Sequence, residues 1–185
     1  MGRWNEHLGT LMETRYPALL AYANALTAGD RAAAEDVVQD AIVRSFSKGR
    51  GFDTVAHAEA YTRRAILSVF LDKTRSRSRL IRAFSRVAET DATPSHDDTV
   101  DTSESVRVLL RHLSPRERAC VVLRYYDDLT IAQVAEALGL ATGTVKRYLS
   151  NATAHLGAAL GHPDDPDPSE SVSVSSHRAP SRKER

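Results

Sequence analysis

The sequence predicts an all-α protein of two small helical domains, the second ending in a helix-turn-helix. Three observations predict it. Apolar residues recur at helical spacing through most of the chain up to about residue 160. Start and stop signals punctuate that pattern: Asp30, Ser114 and Thr130 as helix N-caps, Gly29 and Gly139 as stops. Across 86–103 the periodicity disappears, and Glu89, Asp91, Asp97, Asp98 and Asp101 come with Thr, Ser and Pro94, the composition of a flexible linker. The predicted organisation is a first domain over 5–85, an acidic linker over 86–103, a second domain over 104–160 and a disordered tail over 161–185.

The first helix is expected over 5–28. Leu8, Leu11, Met12, Leu19, Ala23 and Leu26 mark its apolar side, and Pro17 either kinks it or splits it in two. A second helix, about 31–47, turns Ala34, Val37, Val38, Ala41, Ile42 and Phe46 inward. Glu35, Asp36, Gln39, Asp40 and Arg44 line its outer side, either as a solvated face or as a docking surface for a basic or polar partner. Lys48 to Asp53 is a loop with two glycines and Phe52. A third helix is expected from about His57 to Arg75, with Ala58, Tyr61, Ala65, Val69 and Leu71 toward the core. Between Arg63 and Arg82, seven cations (Arg63, Arg64, Lys73, Arg75, Arg77, Arg79 and Arg82) stand against a single acid, Asp72. A helix end needs a few cations to complement its dipole, not seven, so this stripe has the footprint of phosphate binding.

In the second domain, Ser105 to His112 resumes a helix. Ser114 and Glu117 make a capping box with Pro115 at the first helical position, and Thr130 with Gln133 repeats the signature. Ile131, Val134, Ala135 and Leu138 form one apolar stripe before Gly139. Val145, Tyr148, Leu149, Ala152 and Leu156 form the next. Ala135 is small where two helices would cross closely. The opposite side of the last helix carries Thr144, Lys146, Arg147, Ser150 and Asn151, side chains able to bond phosphates or base edges. Arg116, Arg118 and Arg124 are the cations nearby. An ordinary αα-hairpin would explain the stripes alone. The small residue, the turn glycine and the polar face together favour a DNA-binding unit.

Composition narrows the function. The formal net charge is +1, so any nucleic-acid surface must come from local clustering. The single Cys120, beside Val121 and Val122, reads as a buried thiol. Seven scattered His form no HExxH, no Cys pair accompanies them, and no glycine loop cradles phosphate, so neither a metal, a cofactor nor catalysis is expected. No run is long enough to span a membrane, and Glu13 and Arg15 interrupt the early apolar region where a signal peptide would lie, so the expected location is the cytoplasm.

AAAEDVVQDAIVRSF at 32–46 with AYTRRAILSVFLDKTRSRSR at 60–79 resembles region 2 of bacterial sigma factors. LSPRERACVVLRYYDDLTIAQVAEALGLATGTVKRYLSNA at 113–152 resembles their region 4, a winged-helix-like helix-turn-helix. Order, linker and size resemble the extracytoplasmic-function (ECF) group, above all its actinobacterial members of the SigE-like family. That resemblance implies roles. Asp36, Gln39, Asp40 and Arg44 would dock on the β′ clamp helices of core RNA polymerase, with a second polymerase contact at the β flap. Phe52, Arg63, Arg64, Lys73 and Arg75 would capture the −10 element as single strand. Thr142, Thr144, Lys146, Arg147, Ser150 and Asn151 would read the −35 element in duplex. An anti-sigma protein is an implied partner. The chain departs from the family pattern at Ser68, Tyr148 and Asn151, and at Ala141, where a capping Ser is common; Thr142 is then expected to cap. Both DNA-binding domains are expected to move freely about the linker. The rival class is a stand-alone helix-turn-helix regulator, which would explain the last two helices but not the second basic surface.

Overall fold

The computed structural model describes residues 3–47, 51–84 and 102–160. Among them are eight α-helices and no strand: α1 (Arg3–Thr14), α2 (Tyr16–Leu26), α3 (Arg31–Phe46), α4 (Val55–Phe84), α5 (Thr102–Arg111), α6 (Pro115–Val121), α7 (Ile131–Leu138) and α8 (Thr142–Ala159). A π-turn, Val122–Tyr126, continues α6. The acidic linker, apart from its last residues in α5, and the tail from 161 lie outside the described residues, as do 48–50 of the glycine loop.

The local signals act as read. Pro17 splits the first helix: it sits at the start of α2, where a missing N–H costs nothing, and Arg15 forms the joint. The α2–α3 turn runs through Ala28 and Gly29 at φ of 57° and 84°, and Asp30 then caps α3 by accepting from the Ala33 N–H at 3.0 Å. Both capping boxes close, Ser114 with Glu117 and Thr130 with Gln133. Gly139 ends α7 at φ 62°, and Leu140 N–H returns to the Ala135 carbonyl at 2.9 Å. One cap differs from expectation. Ala141, not Thr142, occupies the N-cap of α8 and makes no side-chain bond, because Thr142 is already the first helical residue.

α1 to α4 form the first bundle around Leu11, Leu19, Leu26, Val37, Val38, Ala41, Ile66, Val69 and Phe70. α4 is longer than its expected His57–Arg75 span. Its 30 residues make a rod of roughly 45 Å, because no Gly or Pro follows the apolar stripe and the added residues include good helix formers. It also buries residues the sequence reading passed over: Thr62, Ile66 and Phe70 face the bundle, while Leu67 joins the expected Leu71 in a second buried stripe. α6, the π-turn, α7 and α8 make the second bundle around Cys120, Leu123, Val134, Leu138, Val145 and Leu149.

The two bundles are not independent in this conformation, contrary to expectation. Their apolar residues form one continuous cluster. Leu67 and Leu71 belong to that cluster. They line clefts along α4 together with Leu123, Leu129, Ala137, Leu138 and Tyr148 of the second bundle. Arginines fasten the seam. Arg118 donates to the Leu26 carbonyl at 3.0 Å and the Leu113 carbonyl at 2.9 Å, and Arg111 Nε donates to the Ala28 carbonyl at 3.3 Å. Arg107 lies over Gly29, where a β-carbon would stand 3.0 Å from its Cδ. The cations thus meet the carbonyl end of α2 and its turn, the end that attracts positive charge.

Candidate nucleic-acid interface

The recognition helix meets the sequence reading closely. Val145 and Leu149 are buried in the core with α6 and α7, and Ala152 in a small cluster with Ala28, Leu110 and Leu113, so the opposite side is turned outward by helical geometry. Thr142, Lys146, Arg147, Ser150 and Asn151 stand exposed, and Thr144 is half-buried. Tyr148 is also half-buried, and the Arg147 guanidinium lies 6.0 Å from its ring. Of the three nearby arginines, Arg118 is spent on the seam and its pKa is pushed down to about 10 by desolvation. It therefore offers nothing to DNA. Arg124 binds the Leu129 carbonyl at 3.1 Å and lies 3.8 Å from the Asp128 carboxylate. Arg116 is half-buried, and its Nη1 finds no acceptor among the described residues.

The second basic surface is divided. Arg64 and Arg75 are exposed. Arg75 approaches Asp72 at 3.5 Å, and Lys73 pairs with Asp40 of α3 at 2.9 Å. Arg44 of α3 reaches Ser68 at 3.1 Å and Asp72 at 3.4 Å. These pairs are about half exposed, so each is worth no more than ~1 kcal/mol and yields easily to a phosphate or a partner protein. They join the outer face of α3 to the basic face of α4. Asp36, Gln39, Asp40 and Arg44 are all exposed on that outer face, with apolar Val43 among them.

Two site residues stand elsewhere than expected. Phe52 is not a surface aromatic. Only 4% of it is exposed, and its ring packs 5.1 Å from Phe46 and 5.5 Å from both His57 and Tyr61. It anchors the loop to the bundle, since an apolar ring next to two glycines gains more from burial than from exposure. Arg63 is enclosed as well, its side chain 26% exposed. It donates to Glu59 at 2.9 Å and to Asp127 at 3.1 Å, and lies 5.5 Å from the Tyr22 ring and 5.6 Å from the Tyr126 ring. Asp127 also bonds the Tyr22 hydroxyl; burial first, and that carboxylate second, push the Tyr22 pKa up. Around this group opens a cleft of about 740 Å³ between the bundles, lined by Arg63, Arg64, Asp127, Gln133 and Glu136 among others. Sequence reasoning missed Tyr22, Glu59, Tyr126 and Asp127. The available signal was the run Tyr125-Tyr126-Asp127-Asp128, two rings and two acids with no role in the apolar stripe.

Cys120 is buried with no disulfide, and burial pushes its thiol up to about 11. Among the described residues no group of three His, Cys, Asp or Glu could hold a metal, and no helix is long and apolar enough to cross a membrane.

Residues 11–80 match the family Sigma-70 region 2, and residues 103–156 match Sigma-70, region 4. The chain is 31% identical over 152 residues to the RNA polymerase sigma-E factor of Streptomyces avermitilis, an alignment covering 78% of this chain and 80% of that one. It is 32% identical over 158 residues to the ECF RNA polymerase sigma factor SigL of Mycobacterium tuberculosis, covering 81% and 86%. Its fold resembles that of the sigma factor RpoE in a co-crystal structure with the anti-sigma factor NepR from Bartonella quintana. There the TM-score is 0.55 at 25% identity, covering 78% of this chain and 91% of the other. The two matched regions coincide with the two bundles, one carrying the basic rod and the other the outward-facing recognition helix. With relatives of that name aligned over both, the chain belongs to the sigma-70 family of RNA polymerase sigma factors, in its extracytoplasmic-function group, and directs promoter-specific transcription initiation.

Proposed function

We propose that three surfaces of this chain divide that work. The outer face of α3, with Asp36, Gln39, Asp40 and Arg44, docks on the clamp helices of the polymerase β′ subunit, and the second bundle makes a further contact at the β flap. The basic side of α4, with Arg63, Arg64, Lys73 and Arg75, captures the −10 element as single strand, while Phe52 shapes the adjoining loop from within. The polar face of α8, with Thr142, Thr144, Lys146, Arg147, Ser150 and Asn151, reads the −35 element in the major groove. One observation supports the reading above others: a single chain carries two basic surfaces on different bundles and a third, mixed-charge face exposed beside one of them. A helix side reading duplex and a basic rod flanked by rings suit those two forms of DNA.

Neither DNA surface is large. A lone helix-turn-helix makes a handful of contacts, each worth about 1–3 kcal/mol at best. Its affinity alone is marginal at physiological salt. Polymerase docking places both surfaces on one promoter and adds their binding through effective concentration. A protein that covers the α3 face would silence the factor, which makes an anti-sigma protein the expected regulator. Residues Asp36 and Asp40 offer it carboxylates, so its surface there should be basic.

The test is transcription from a promoter library by the purified protein with core polymerase, alongside a duplex-binding titration of the protein alone. Specific initiation only when both proteins are present is expected. Specific nanomolar binding by the isolated chain at physiological salt would overturn the reading in favour of a stand-alone regulator.

A further inference from the structure

Three arginines, drawn from both bundles, line one cleft. It encloses about 470 Å³ between α4 and the second bundle, an ordinary size for a small-molecule site. Leu71, Arg75 and Arg79 recur every fourth residue, so they stand in line along one face of α4. Pro115 and Arg116 of α6 and Tyr148 of α8 bound the other side. The lining is cationic without a counter-charge. No Asp or Glu lines it, whereas Glu59, Asp127 and Glu136 line the cleft around Arg63. Arg75 has Asp72 at 3.5 Å, in a half-exposed pair that yields easily, and Arg79 is exposed. Arg116 Nη1 is buried and finds no acceptor among the described residues. Such a donor stays uncompensated until a ligand supplies an oxygen.

Like charges held together in this way favour a multivalent anion. Guanidinium groups match phosphate oxygens with paired N–H bonds, so a phosphate chain is the anion that three of them suit. The rest of the lining narrows the ligand further. Leu71, Pro115 and the half-buried Tyr148 ring give the cleft an apolar part. A bare phosphate chain would leave that part unused, while a flat base would cover it.

We propose that this cleft is a binding site for a nucleoside di- or triphosphate, with Arg75, Arg79 and Arg116 on the phosphates and Tyr148 against the base. Along α4 the lining changes from apolar at Leu71 to cationic at Arg75 and Arg79. That gradient turns the base toward Leu71 and the phosphate chain toward Arg79. The volume suits one nucleotide, not a strand. The site does not depend on reading α4 as the −10 surface. It shares Arg75 with that surface, while Arg79 and Arg116 belong to none of the three surfaces assigned above.

The test is isothermal titration calorimetry of the full chain without polymerase, in magnesium buffer at physiological salt, with ATP, GTP, inorganic pyrophosphate and adenosine as probes. One-site binding of ATP or GTP is expected, with pyrophosphate weaker and adenosine weakest. Arg79→Gln and Arg116→Gln should each weaken nucleotide binding about tenfold, the usual worth of a hydrogen bond to a charged group. Arg79 is exposed, so its variant stands in if Arg116→Gln folds poorly. Tyr148→Leu keeps the wall apolar and should weaken ATP and GTP but not pyrophosphate. Arg77→Gln removes the same charge from the same helix outside the cleft lining and should change nothing. No binding of either nucleotide at millimolar concentration, or equal losses from Arg77→Gln and Arg79→Gln, would overturn the site. Pyrophosphate binding as tight as that of ATP, or equal losses of both in Tyr148→Leu, would overturn the assignment of a nucleoside. A final arm reads a fluorescent single-stranded DNA oligonucleotide of randomised sequence by anisotropy. Arg116→Gln should leave its binding unchanged. A loss there as large as the loss for ATP would give the cleft to the strand and end the proposal.

Discussion

Arg63 and Arg147 are the same side chain in opposite circumstances. Each lies on a helix, each is within reach of an aromatic ring, and each belongs to a surface suited to nucleic acid. Arg147 stands in water over Tyr148. Arg63 is walled in by Tyr22, Tyr126, Glu59 and Asp127. The difference lies in what the neighbouring bundle supplies. α8 shows a single apolar stripe, spends most of it on its own bundle, and leaves its polar side outward. α4 has two stripes, one for its own bundle and one for the other, and Arg63 is carried under cover with the second. A cation's availability is thus decided by the apolar residues one turn away from it.

That contrast can be broken at the apolar stripe, with the largest effect. Leu67→Ala should lower unfolding free energy by roughly 2–4 kcal/mol, the usual loss for a buried leucine, measured by denaturant titration. A loss below about 1 kcal/mol would mean that the second stripe is not packed in solution. Next in size is Arg63→Ala. It removes a charged donor and should reduce open-complex formation on a duplex promoter about ten- to a hundredfold, in line with the worth of a hydrogen bond to a charged group. Footprinting of the melted strand measures it, and an effect on upstream binding instead would erase the distinction between the surfaces. Arg147→Ala and Lys146→Ala should each cost about tenfold or less in upstream affinity. If they contact phosphates, the salt slope falls by about one and all sequences suffer alike; if bases, specificity relaxes.

The smallest effect lies behind the exposed surface, in the box that seats α8. Glu117, 4% exposed, accepts from Ser114 and faces His155 at 3.4 Å. Burial is the largest influence on its carboxyl and acts upward, but the Ser114 bonds and the His155 charge outweigh it and hold the pKa below its ordinary value. A depressed carboxyl contributes stability that is present above its unfolded pKa and lost as pH falls through the folded one. Glu117→Gln should therefore flatten the acid limb of the stability curve below about pH 4.5, read by thermal melts across pH. An acid limb as steep as that of the parent protein would show that the carboxylate contributes nothing there.

The sequence made the short-range devices legible. Ser114, Thr130, Asp30 and Gly139 act within four residues of themselves, so spacing alone revealed them. The polar face of α8 was legible because its apolar stripe is single. The α4 stripe was read only in part, because two faces are buried: Ile66 and Phe70 on one and Leu67 and Leu71 on the other blur the amphipathic pattern. Phe52 was misplaced because a loop aromatic looks alike whether it meets a base or folds back on Phe46. The Arg63–Asp127 pair spans 64 residues and depends on how two bundles meet, which no local pattern encodes.

The π-turn at Val122–Tyr126 also has a bearing on descent. Such a turn is an α-helix holding one residue too many, and losing that residue restores the ordinary winding. A one-codon deletion there would restore α-helical winding through the turn and shift the residues that the wider ring accommodates, up to Asp127. The helix-turn-helix beyond would keep its caps, its glycine turn and its reading face. The shape of this turn and the reading face of α8 are therefore separable by the smallest in-frame change a gene can undergo, so lineages can alter one without rewriting the other.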